Sequence, residues 1–203
     1  MRLNVHRFGT PGGPPLVAIH GVTGHGRRFA DFVPLAVPDH DVLSVDLRGH
    51  GRSGWEPPWD VITHLEDIAE TLEAEGVDQP VDVMGHSFGG LLGLSLVALA
   101  PELVNRAVLI DPAIAMPAAF CEERARELVE SAGWASPEEA VAERAAMVNE
   151  AGHRFIPADI AEHLVEQPDG RWRLRCSRAA AVTAWSEMAP AAPAPEEERV
   201  VLI

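Results

Sequence analysis

Short apolar runs alternate with amphipathic stretches along the chain, and this alternation sets the plan of elements. Residues 3–8 (LNVHRF) switch between apolar and polar side chains, the period-two pattern of a strand with one wet face, and the Gly/Pro-rich residues 9–15 turn the chain. Leu16, Val17, Ala18 and Ile19 are apolar in succession, as in a strand covered on both faces. Residues 28–35 have apolar side chains at 29, 32, 33 and 35, enough for a short helix, and residues 41–45 form the next strand. Ile62, Leu65, Ile68, Ala69 and Leu72 recur at helical spacing over residues 61–75, which predicts an amphipathic helix with its acidic residues outward, ended by Gly76. Residues 81–100 read as a buried strand, a glycine-pinched turn and an apolar helix; residues 105–110 are another buried strand. Such alternation implies a parallel sheet with helices on both faces and functional loops at the C-terminal ends of its strands.

After Asp111 the pattern changes. Residues 113–188 carry no strong strand signal but three helical stretches, at 121–132, 137–150 and 157–166. The second is announced by a capping Ser136, Pro137 at the first helical position and glutamate placed to cap back. A helical cap inserted in the sheet, roofing the site and selecting its substrate, is expected here. Met116, Phe120, Trp134, Met147, Phe155 and Trp185 either line an acyl pocket or, more commonly for such residues, fill the core of the cap. His153 and His163 suit the surface or the cap, and residues 171–175 (RWRLR) suit an exposed extended segment. Residues 190–195 (PAAPAP) form a stiff connector, and residues 199–203 (RVVLI) start a further buried strand. The expected division is a core at 1–112, a cap and return segment at 113–189, and a linker with the start of another core strand at 190–203.

Composition narrows the class. With 203 residues, 47% apolar and 23% charged, the chain suits one soluble main domain with an inserted subdomain. The 31 acidic residues outnumber 16 basic ones, all arginine, and a net charge of -15 argues against both a nucleic-acid partner and an anionic membrane surface. Cys121 and Cys176 are far apart and without C-x-x-C spacing, so reduced thiols are expected rather than a disulfide framework or a zinc site. The first residues contain no apolar leader, and the apolar run at 91–100 is too short to span a bilayer. A cytoplasmic protein without cofactor or metal is the expectation.

The chemistry concentrates in Gly85-His86-Ser87-Phe88-Gly89, a G-x-S-x-G in strand–turn–helix context. A side chain at either glycine would collide with the neighbouring strand or helix at so sharp a bend, and the bend lifts Ser87 to a helix N-terminus that favours developing negative charge. Ser87 is therefore the candidate nucleophile; a serine that merely caps a helix is the bland alternative. The loop His20-Gly21-Val22-Thr23-Gly24 is placed to build an oxyanion hole, with the backbone amides of Val22 and Phe88 as its two donors. His20 is expected to hydrogen-bond and shape that loop rather than to act as base. In residues 46–54 (DLRGHGRSG), Asp46 and Arg48 are expected to pair and satisfy loop amides.

HGVTG after one strand, DLRGHGRS after the next and GHSFGG at the elbow, in that order, together resemble the α/β-hydrolase superfamily. The resemblance covers residues 3–110 closely and the remainder loosely. It implies an eight-stranded, mostly parallel doubly wound sheet, a cap after the family's sixth strand, and a triad in the order Ser, Asp or Glu, His. Carried over, Ser87 matches the nucleophile and the Val22 and Phe88 amides match the oxyanion donors; serine at the elbow favours ester, thioester, lactone or related acyl hydrolysis. The family's acid and histidine usually follow its seventh and eighth strands. If RVVLI is the seventh, both lie beyond residue 203, no residue here matches the histidine, and the chain is a hydrolase lacking its last strands. Asp111 is a possible acid, a placement some relatives use, or else a turn aspartate before proline. The competing expectation is a non-catalytic hydrolase-like module that binds a small ligand.

Overall fold

The computed structural model describes residues 1–194 and 199–203. The connector expected at 190–195 therefore falls partly outside the described residues. Six strands form the main sheet: β1 (Asn4–Gly9), β2 (Pro15–Ile19), β3 (Asp41–Asp46), β4 (Val81–His86), β5 (Val104–Ile110) and β8 (Val200–Leu202), in the order β1-β3-β2-β4-β5-β8. Among the described residues of this sheet only β1 runs antiparallel to its neighbour, β3; the remaining pairs are parallel. The expected mostly parallel, doubly wound architecture is thus present.

Alternation along the strands sends side chains to two separate cores. Val17, Ile19, Leu43, Val45, Val81 and Val83 pack on one face with α2 (Val61–Ala74) and α3 (Phe88–Leu99). Leu16, Ala18, Val42 and Met84 pack on the other, against Phe29 of the 3-10 turn Gly26–Phe29 and Val33 of α1 (Val33–Ala36). Both faces are covered, as the continuous apolar runs require. The single helix expected at 28–35 is instead this turn followed by the four-residue α1. In α2, Ile62 points outward at 52% exposure, while His64, Asp67 and Thr71 are buried. The expectation that the acidic residues of this helix face outward fails at Asp67, because the guanidinium of Arg48 meets it with two bonds of 2.7 Å.

The chain divides into two compact units, Met1–Val129 with Cys176–Ile203, and Glu130–Arg175. The smaller unit is narrower than residues 113–189: Cys121 of α4 (Ala118–Glu130), and Ala184 and Met188 at α7 (Arg178–Glu187), belong to the core of the larger one. Met116 and Trp185 pack against that same core, with Phe120 edge-on to Trp185. The smaller unit holds α5 (Pro137–Met147), α6 (Ile156–His163) and an antiparallel ribbon of β6 (Leu164–Glu166) and β7 (Trp172–Leu174). Its core is Ala140, Ile156, Ile160 and Leu164, with Trp134 and Trp172 packed against them. Residues 164–166, expected to continue a helix, are a strand here, and the extended segment expected at 171–175 is its partner. The Ser136 cap forms as expected, accepting from the Glu139 amide, while the Glu139 carboxylate reaches back to the amide of Ala135. His153 is exposed, His163 is buried, and Met147 is 68% exposed.

β8 pairs with β5, so the strand expected at RVVLI is present, yet its side chains are not buried: Leu202 is 63% exposed.

Candidate active site

Strand order brings the loops of the site together. β2 lies between β3 and β4, and Ile19 is opposite Gly85, so the residues following these two strands start side by side. The crevice at such a reversal of strand order is where open α/β sheets bind ligands.

Ser87 stands between β4 and α3 with φ 55° and ψ -118°, a left-handed backbone that a non-glycine residue holds only when its surroundings enforce it. Here the main chain enforces it. The Ser87 amide donates to the Ile110 carbonyl at 3.1 Å, and its carbonyl accepts from the amides of Gly90 (2.8 Å), Leu91 (3.2 Å) and Ala113 (3.1 Å). A Cβ on Gly85 would come within 2.2 Å of the Gly89 carbonyl oxygen, and one on Gly89 within 2.1 Å of that of Ile19. Helix and strand approach too closely at both places for any side chain.

The loop after β2 passes directly against this turn, since a Cβ on Gly21 would lie 2.9 Å from the Ser87 Cβ. Nε2 of His20 accepts the Leu47 amide at 3.0 Å, so its proton sits on Nδ1, which donates to the Gly21 carbonyl at 2.8 Å. The Gly24 amide donates to the same carbonyl at 2.9 Å. In a planar trans peptide the carbonyl and the next N–H point opposite ways, so anchoring the Gly21 carbonyl turns the Val22 N–H away from His20. Among the described residues neither the Val22 nor the Phe88 amide has an acceptor. Burial, with His50 beside it, holds the His20 pKa well below the usual histidine value, so the ring is neutral. Its place is structural, as expected for it.

Asp46 ties the next loop in place, though not by the expected pair. Its carboxylate accepts from the amides of Gly26 (2.7 Å) and Arg52 (2.9 Å) and from the side chain of Asn4 (2.9 Å), with His6 at 3.2 Å. Burial alone would raise its pKa; the bonds from His6 and the two amides overcome that and hold it well below the carboxylate range. Arg48 turns instead to Asp67, whose carboxylate on α2 offers it a bidentate partner.

Asp111 follows β5, one step beyond the His86–Ile110 pair, exposed, with φ 43° and its amide on the Ile203 carbonyl at 2.8 Å. His86 is exposed beside Ser87; partial enclosure of its ring lowers its pKa, the Arg28 charge adds to that, and the Asp111 charge opposes it. Among the described residues no imidazole hydrogen-bonds the Ser87 side chain.

A sequence model of the alpha/beta hydrolase fold matches residues 14–135, from the start of β2 through the elbow and into the smaller unit. The chain belongs to the α/β-hydrolase family. Within the family it is similar to lipase LipV of Mycobacterium tuberculosis, with 39% identity over 191 residues that cover 92% of this chain and 71% of LipV. Its match to esterase YbfF of Escherichia coli is 33% identical over 97 residues and spans 48% of this chain and 38% of the esterase. Among solved structures, E-2-(acetamidomethylene)succinate hydrolase superposes with a TM-score of 0.80 at 21% identity, covering 93% of this chain and 70% of that one. A marine microorganism esterase superposes with a TM-score of 0.76 at 18% identity, covering 100% and 80%. At these identities the two structures speak for the α/β-hydrolase fold alone.

Reading the sequence missed three buried groups in this α/β-hydrolase unit: His50, His64 and Asp67. His64 lies four positions before Ile68 on α2, so helical spacing placed it on the inward face. Cys121 and Cys176 are free, and burial pushes the Cys176 thiol up to about 12. Among the described residues no group of three or more His, Cys, Asp or Glu side chains is arranged to hold a metal, and no helix is long and apolar enough to cross a membrane.

Proposed function

We propose that this chain carries the nucleophile and the oxyanion hole of a serine hydrolase acting on a small ester, thioester, lactone or related acyl substrate. The observation that carries the proposal is the pairing of a forced left-handed Ser87 with two amides, Val22 and Phe88, that have no acceptor among the described residues. The names of its relatives, a lipase and an esterase, point to the same chemistry. In this reading Ser87 Oγ attacks the acyl carbonyl carbon while a general base takes the hydroxyl proton. The two amides stabilise the oxyanion; its collapse expels the alcohol or thiol, protonated by the same group, and water then hydrolyses the acyl-enzyme. Asp111 is the carboxylate we assign to the acid, since it follows β5, the strand paired with the one that Ser87 follows. The base is assigned to a group outside these 203 residues, because no imidazole among the described ones bonds Ser87.

That same observation favours a second reading, a hydrolase-like module that binds a small ligand without turning it over. Fluorophosphonate labelling of the folded 203-residue chain, and of the longest product of its gene, separates the two when each is run beside Ser87→Ala. The proposal expects Ser87-dependent labelling of the longest product and little of the 203-residue chain. Strong labelling of the shorter chain overturns the assignment of the base, and no labelling of either leaves the binding module standing.

A further inference from the structure

Behind the elbow, four buried nitrogens have no hydrogen-bond partner among the described residues: Nε2 of His50, Nε1 of Trp59 and both ring nitrogens of His64. The His50 and His64 side chains are wholly enclosed. A buried polar atom left unmet costs about 1–3 kcal/mol, and native proteins rarely leave one so. Four of them around one turn call for a partner.

Their chemistry specifies it. His50 Nδ1 is 3.1 Å from the Arg48 carbonyl and donates to it, which leaves Nε2 as a bare acceptor. A neutral His64 adds one N–H and one lone pair, and the Trp59 indole adds a second N–H. Both rings are held neutral, since burial pushes the pKa of each down to about 4. The set is two donors and two acceptors. A cation would face two N–H groups and an anion two lone pairs, whereas water both donates and accepts.

The three residues are neighbours in the fold. A Cβ built on Gly49, the residue before His50, would lie 3.2 Å from the indole nitrogen of Trp59. Trp59 precedes Asp60, the N-cap of α2, and His64 lies in the first turn of that helix. His50 and His64 are close enough that a proton on His50 lowers the pKa of His64.

We propose that the space bounded by His50, Trp59 and His64 is a built water site, in which about one or two ordered waters bridge the three side chains. This hydrated layer backs the two candidate oxyanion donors. His64 meets the Phe88 ring edge-on, 5.6 Å between centroids, and His50 meets His20, which orients the Val22 peptide, at 5.1 Å. The water site itself does not depend on the reaction assigned to Ser87.

Nuclear magnetic resonance of the ¹⁵N-labelled chain at neutral pH tests this without any activity assay. The expected result is one slowly exchanging ring N–H on each of His50 and His64, with the His64 and Trp59 N–H groups showing cross-relaxation to water of the sign given by long-lived bound molecules. In His64→Leu the Trp59–water signal should fall several-fold. Wild-type N–H groups that see only protein protons overturn the proposal, as does a Trp59–water signal unchanged in a folded His64→Leu. Should that variant fail to fold, the wild-type spectrum alone decides.

Discussion

Nε2 of His20 accepts the amide proton of Leu47, and this bond commits the other face of the ring to the Gly21 carbonyl. One imidazole therefore joins the loop after β3 to the peptide that aims the Val22 N–H. His20→Ala leaves the Leu47 amide buried without an acceptor and removes one of the two donors to Gly21. The expected loss is about 2 kcal/mol of stability, read from the urea midpoint. In the longest product of the gene, fluorophosphonate labelling should slow by about 10-fold or more. Unchanged labelling in a folded variant would sink the aiming role of the ring.

Two glycines separate close approach from backbone conformation. Gly89→Ala places a methyl carbon 2.1 Å from a carbonyl oxygen in the centre of the sheet, and no rotamer change relieves it. Gly76, with φ 75°, has nothing within 4 Å of its would-be Cβ. Gly76→Ala should cost only about 1–2 kcal/mol of left-handed strain and melt cooperatively. Gly89→Ala should yield no native thermal transition; a midpoint near that of Gly76→Ala would disprove the crowding at the elbow.

Acid should loosen the layer behind the elbow. Burial lowers His50 and His64 from 6.5 to about 4; Asp46 opposes and Arg28 adds to the shift at His50, while at His64 the charges of His50 and Arg48 lower and those of Asp67 and Asp60 raise. A histidine depressed on folding binds its proton more readily when unfolded, so its contribution is whole above about pH 6.5 and is lost as pH falls toward 4. Each ring accounts for a decline on the order of 3 kcal/mol over that window. Denaturant titrations from pH 7 to pH 4 should show a slope that flattens in His64→Leu; an equal slope in that variant would exclude His64 as a source.

Asp67 on α2 is the buried half of a bidentate pair with Arg48. Asp67→Leu strands the guanidinium, takes from the Met1 ammonium one of its two carboxylate partners (Glu70 remains), and should destabilise the fold by about 3 kcal/mol, checked by guanidinium denaturation. Restoration of most of that loss in the double variant with Arg48→Met would confirm that the stranded charge is the cause, whereas additive losses would refute it.

What the sequence made legible was whatever depends on neighbours along the chain. Leu16 to Ile19 announce a covered strand, Ser136 announces a helix start, and Gly85 and Gly89 announce a bend that only glycine fits. What escaped depends on partners brought from a distance. Asp67 looks like a solvated helix acid until Arg48 reaches it from a loop nineteen residues earlier, a meeting visible only in the fold. β6 and β7 are three residues each, too short to establish a period. In α7 the inward positions are Ala180, Ala181 and Ala184, whose small side chains give little contrast with their surroundings. At β8 the apolar run identified a strand, but apolarity is a preference for burial and the fold leaves those side chains exposed. At the candidate site the motif located Ser87, while the anchoring of the Gly21 carbonyl by His20 required coordinates.

Every bond that fixes the bend at position 87 runs through its amide and carbonyl, and the serine side chain caps nothing. The backbone there works as a socket whose shape is indifferent to what is plugged into it. Cysteine or aspartate would be carried to the same place at the same angle, so the reactive atom can be exchanged, by mutation or over evolutionary time, without renegotiating the architecture beneath it.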